Sequence, residues 1–111
     1  MLGIRQYKSV AIDLWQGDES QFYCDLLARD LKKGLAQAHK EDKRHLVYAP
    51  VLSDLNAEEV IENARKAMSE IKDFIDKREE NSYPQRITLA FDQHEPYLVF
   101  QEGLFSNFPD F

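Results

Sequence analysis

Residues 45–91, HLVYAPVLSDLNAEEVIENARKAMSEIKDFIDKREENSYPQRITLAF, read as a strand, a long helix and a second strand in succession. The first five, HLVYA, form a nearly continuous apolar run that Pro50 ends, the pattern of a strand covered on both faces. Asn56 then stands as an N-cap, and Glu59 three residues later completes a capping box. Behind them Val60, Ile61, Ala64, Met68, Ile71, Phe74 and Ile75 recur at helical spacing, while Glu62, Arg65, Lys66, Glu70 and Lys77 lie off that stripe. Residues 81–84 break the helix, and 86–91 (RITLAF) form the next strand. Two strands joined by a helix of this length imply a right-handed crossover and parallel pairing.

The same alternation extends in both directions. Residues 9–15 (SVAIDLW) put Val10, Ile12 and Leu14 on one face and Ala11, Asp13 and Trp15 on the other, so they read as a strand that Gly17 and Asp18 terminate. Asp18 or Ser20 can cap a helix from Gln21 to about Lys40, whose stripe is Cys24, Leu27, Leu31, Leu35 and Ala38. Gly34 inside it costs about 1 kcal/mol against Ala, and marks either a close approach or a break. Residues 3–7 could add an edge strand. Toward the other end, Pro96 suits a helix N1 position, predicting a short helix from Tyr97 to about Glu102 with Gly103 at its end. A strand through Tyr97 to Phe100 is the alternative. Residues 105–111 carry Phe105, Phe108 and Phe111 and either dock on the body, the reading taken here, or form a partner-binding tail. The expected fold is a single domain over residues 1–111, a three-layer α/β/α sandwich around a short, mainly parallel sheet.

Composition narrows the function. Of 111 residues 43% are apolar, enough to build a core. The net charge of −6 argues against nucleic acid and against anionic membrane surfaces, which both select cationic proteins. A basic cluster at Arg29, Lys32, Lys33, Lys40, Lys43 and Arg44 is interrupted by Asp30, Glu41 and Asp42 and reads as a solvated face. Cys24 is the sole cysteine, which precludes an internal disulfide or a thiolate zinc cluster. With no apolar leader in residues 1–8 and no run of about 18 apolar residues, a cytoplasmic location is expected.

Open parallel sheets bind ligands outside the carboxyl ends of their strands. The segments to inspect are therefore 16–19, 51–54 and 92–95, which hold Gly17, Asp18, Glu19, Ser53, Asp54, Asp92, His94 and Glu95. Carboxylates gathered around a histidine could hold a divalent ion or supply a general base. The same residue types also cap helices and close turns. Neither His39 nor His45 is given a role, and Cys24 reads as a buried thiol on its helix stripe. With four glycines and no Gly-rich phosphate loop of either standard spacing, a nucleotide loop of that kind is not encoded.

The opening VAIDLWQGDESQFYCD resembles that of macro domains, ADP-ribose-binding modules in which a strand runs into a Gln-Gly-Asp turn. The stretch from HLVYAP through the Asn56 helix to RITLAFDQHEPYLVFQEGLF is similar to their closing strand, helix, strand and helix. By that resemblance Asp18, with Gly17 before it, is the residue that recognises the adenine amino group. The Asn-Ala-Ala-Asn segment and both Gly-rich loops of the family are absent, and residues 24–34 (CDLLARDLKKG) read as helix instead. The resemblance implies a shortened scaffold: a non-enzymatic binding or interaction module for an adenine nucleotide, ADP-ribose or a protein partner, without cofactor or catalytic residue. The alternatives are a small divalent-metal-assisted hydrolase using the acidic strand-end cluster, and a structural subunit assembling through Trp15, Phe105, Phe108 and Phe111.

Overall fold

The computed structural model describes residues 4–18 and 23–108. The chain forms β1 (Arg5–Tyr7), β2 (Val10–Gln16), β3 (Leu26–Ala28), α1 (Leu31–Lys40), β4 (His45–Tyr48), α2 (Ala57–Lys77), β5 (Arg86–Phe91) and α3 (His94–Asn107). The five strands make one mixed sheet in the order β1-β2-β5-β4-β3. β1 is antiparallel to β2, and the other three pairings are parallel.

Register decides which side chains share a face. Ile12 stands beside Ile87, and Ile87 beside Leu46; one step along, Leu14, Leu89 and Tyr48 line up in the same way. This face carries the core. Leu31, Leu35 and Ala38 of α1, Ala64, Met68 and Ile71 of α2, and Phe100 and Leu104 of α3 join it in one buried cluster. α2 starts as its sequence predicts, with Asn56 Oδ1 accepting from the Glu59 amide at 2.9 Å and the Glu59 carboxylate accepting from the Asn56 amide at 3.1 Å. Its stripe differs at one edge: Ile61 is 45% exposed, and Ala67 is buried.

All three described helices pack on this one face, so they form two layers with the sheet instead of the expected three. The handedness of crossovers explains the difference. From β3 through β4 to β5 the chain moves one strand at a time in one direction, and right-handed connections put every intervening helix on the same side. The step from β2 to β3 runs the other way across the sheet, and the described residue Cys24 at its end lies on the opposite face, packed against Val47, Ala49 and Ala90 together with Trp15.

The helix expected from Gln21 to Lys40 is therefore corrected to a strand, a turn and a shorter helix. Residues 26–28 pair with β4, and α1 begins only after Asp30, whose side chain accepts from the Lys33 amide at 3.0 Å. Cys24 and Leu27 continued the three-and-four spacing of Leu31, Leu35 and Ala38 without belonging to it. Ser20 and Gln21, expected at the start of that helix, lie outside the described residues. Gly34 marks a close approach: a Cβ there would lie 2.5 Å from the Ala28 Cβ and 3.3 Å from Leu46.

α3 is also longer than expected. It begins two residues before Pro96, which stands third in the helix, where a missing N–H removes no intrahelical bond. It continues through Gly103, where a Cβ would meet Met68 of α2 at an ordinary 3.6 Å. Phe108 follows, fully buried, with its ring 5.3 Å from that of Tyr7. Phe105 is partly exposed beneath the Arg5 guanidinium, 4.0 Å from its ring centre. Residues 109–111 of the expected tail lie outside the described residues. Among the described residues no helix is long and apolar enough to cross a membrane.

Candidate functional site

β2 and β5 are neighbours; α3 follows β5 on the core side, whereas Cys24, which precedes β3, packs on the other face. Such a switch point opens a crevice at the carboxyl ends of the strands. Gly17 prolongs the β2–β5 ladder by one bond, its amide donating to the Phe91 carbonyl at 2.9 Å. Its φ of +152° suits glycine, and a Cβ would also press within 3.3 Å of the Trp15 ring. The chain thus turns sharply beneath Trp15 and delivers Asp18 to the rim.

Three further turns meet it. After β4, Pro50 leads into a loop that a Leu55 amide to Leu52 carbonyl bond of 3.1 Å closes before the Asn56 cap. After β5, Asp92 and Gln93 lead into α3, which has no side-chain cap. After β3, Arg29 reaches across to donate from Nη1 to the Ala49 carbonyl at 3.2 Å. Together these turns enclose an open cleft of about 1360 Å³.

Of the residues singled out in the sequence, Gly17, Asp18, Ser53, Asp92, His94 and Glu95 all line this cleft. Asp54 is exposed and lies off the lining, and Glu19 falls outside the described residues. His94 pairs through Nδ1 with Gln16 Oε1 at 3.0 Å and stacks on Tyr97, the ring planes 18° apart.

Sequence reasoning missed Arg29, which it assigned to a solvated basic face, because it had no β3 whose carboxyl end could place the residue here. It also missed the apolar wall. Val51, 69% exposed, and Ile61 line the cleft together with Pro96 and Val99. The metal-assisted alternative finds no ligand set: among the described residues no three His, Cys, Asp or Glu side chains group as a metal ion requires. Of the aromatic residues named for an assembly surface, Phe108 is in the core, Trp15 and Phe105 are partly exposed, and Phe111 lies outside the described residues.

A second polar cluster lies on the sheet face away from the helices. Asp13 and Thr88 are both buried there. The Thr88 hydroxyl donates to Asp13 Oδ1 at 2.6 Å, and Arg86 Nη2 donates to Asp13 Oδ2 at 2.6 Å. With its one proton committed, Thr88 Oγ1 accepts from His45 Nε2 at 2.7 Å. Burial, then the nearby Arg86 charge, lowers the His45 pKa, against the opposing pull of Asp13 and Asp25. His45, given no role in the sequence, thus closes a chain whose described bonds join its members to one another.

Comparison with family models, with curated proteins and with solved structures gives no match.

Proposed function

We propose that the protein is a non-enzymatic binding module whose ligand occupies the cleft at the strand carboxyl ends, with Asp18 accepting a hydrogen bond from an adenine-type amino group. The observation that carries this reading is convergence. Turns far apart in sequence, after β2, β4 and β5, bring Gly17, Asp18, Ser53, Asp92 and His94 to one concave surface. A cleft with apolar walls and a few polar groups at a switch point is the usual form of a small-molecule site.

The resemblance to macro domains adds the identity of the contact at Asp18 and suggests a shortened scaffold of that kind, here with its helices on one side. Catalysis on ADP-ribose does not follow from it. β4 runs through residues 49–56 directly into α2, and no Gly-rich loop intervenes to cradle a diphosphate.

Calorimetry with adenosine, AMP and ADP-ribose tests the reading. Binding of at least one of them, abolished by Asp18→Ala in a variant that still unfolds cooperatively, is the expected result. No heat from any of the three at millimolar concentration removes the small-molecule reading and leaves a protein partner as the ligand to seek.

A further inference from the structure

We infer that the cleft selects an unphosphorylated ligand, a nucleoside or free base, and works against phosphates; the inference rests on the cleft being the binding site. A phosphate at strand ends is ordinarily held by helix N-terminal amides and by cations. Here each such resource is in part committed, and carboxylates stand against what is left. At the start of α2 the Asn56 side chain takes the Glu59 amide and the Glu59 carboxylate takes the Asn56 amide. Glu58 and Glu59 add two carboxylates to that first turn, where the helix dipole would otherwise attract an anion.

At the start of α3, Glu95 supplies the same negative charge, and Pro96 has no N–H to offer. The Gly17 amide, next to Asp18, is spent on the Phe91 carbonyl. Arg29 directs Nη1 to the Ala49 carbonyl. Against this guanidinium the described lining sets the exposed carboxylates of Asp92 and Glu95.

What remains is a pair of complementary features. Val51, Ile61, Pro96 and Val99 offer apolar surface to a flat ring. The exposed carboxylates offer acceptors to amino and hydroxyl donors. A nucleoside has both the ring and the donors, whereas a phosphate adds negative charge where negative charge already dominates.

The test compares adenosine, AMP and ADP-ribose by calorimetry or by amide chemical-shift titration, at about 10 mM and about 150 mM salt, where the screening length falls from about 30 Å to about 8 Å. Adenosine is expected to bind most tightly, with AMP weaker by about two- to fivefold for each facing carboxylate. Added salt should strengthen AMP binding and leave adenosine nearly constant. Asp92→Asn combined with Glu95→Gln should narrow the adenosine-to-AMP ratio. AMP or ADP-ribose binding more tightly than adenosine, and weakening with salt, would overturn the inference while sparing the binding reading. Absence of binding by all three would remove both.

Discussion

On the face of the sheet that carries the helices, Ile12, Ile87 and Leu46 stand side by side; on the opposite face the same three strands set Asp13, Thr88 and Val47 side by side. The first row is apolar throughout and is covered by α1, α2 and α3. Its contribution comes from area removed from water, roughly 25 cal/mol per Å², and this depends on volume more than on direction. The second row is equally hidden at its centre but contains a carboxylate and a hydroxyl, which are tolerable there only because each finds a directed partner. One face is thus specified by shape and the other by hydrogen-bond geometry, and substitutions should separate the two.

The largest effect belongs to the helix face. Phe108→Ala empties a fully buried site against Tyr7, and should lower the unfolding free energy by about 3–5 kcal/mol in denaturant titration. A loss under about 1 kcal/mol would show that α3 ends in a loose attachment and not in the core. Next comes Gly34→Ala, which adds volume to that face instead of removing it. The obstructing atom is the Cβ of Ala28, as rigid as the backbone, so the loss should approach the upper end of about 1–3 kcal/mol for overpacking. The companion Gly103→Ala, whose Cβ would make an ordinary 3.6 Å contact with a flexible Met68, should leave stability nearly unchanged or raise it slightly, by relieving glycine's entropy in a helix.

Asp13→Asn probes the polar face with a smaller change. The amide oxygen can still accept from Thr88, but the amide nitrogen then faces Arg86 as donor against donor. Arg86 is 45% exposed and can turn to water, so the loss should be about 1 kcal/mol, short of the full cost of a broken buried pair. A variant as stable as the parent would mean that the polar face is held by Val47, Ala49 and Ala90 alone.

The helix face and the strand-end cleft were largely legible in the sequence because both follow from periodicity and topology. The capping box at Asn56 and the run from Arg86 to Phe91 fix a crossover, and the crossover fixes where Asp18, Ser53, Asp92 and His94 must converge. The layer count was not legible, because it turned on three residues. Leu27 fits the helical spacing of Leu31 and Leu35, and only the pairing of Leu26, Leu27 and Ala28 with Leu46, Val47 and Tyr48 makes the stretch a strand. The polar face was hidden for a related reason. Asp13 stood with Ala11 and Trp15 on the second face of an alternating strand, and nothing in that spacing named Thr88, Arg86 and His45 as the partners gathered around it across the sheet.

The smallest predicted effect is on pH, and it isolates His45. Its folded-state pKa is lowered, so between that value and the ordinary 6.5 the unfolded chain binds more protons than the folded one. Stability contributed by the neutral imidazole is therefore complete above pH 6.5 and declines as the pH falls through 6.5 toward the folded value. The carboxylates of Asp13 and Asp25 beside the ring oppose this decline, and the Arg86 guanidinium reinforces it. His45→Gln keeps an N–H that can donate to Thr88 and removes the titration. Thermal unfolding at pH 7.5 and 5.5 should show a drop in midpoint for the parent that shrinks in His45→Gln. Equal drops in the two proteins would mean that the imidazole leaves Thr88 and charges in water without penalty, and that the polar face opens locally where the helix face does not.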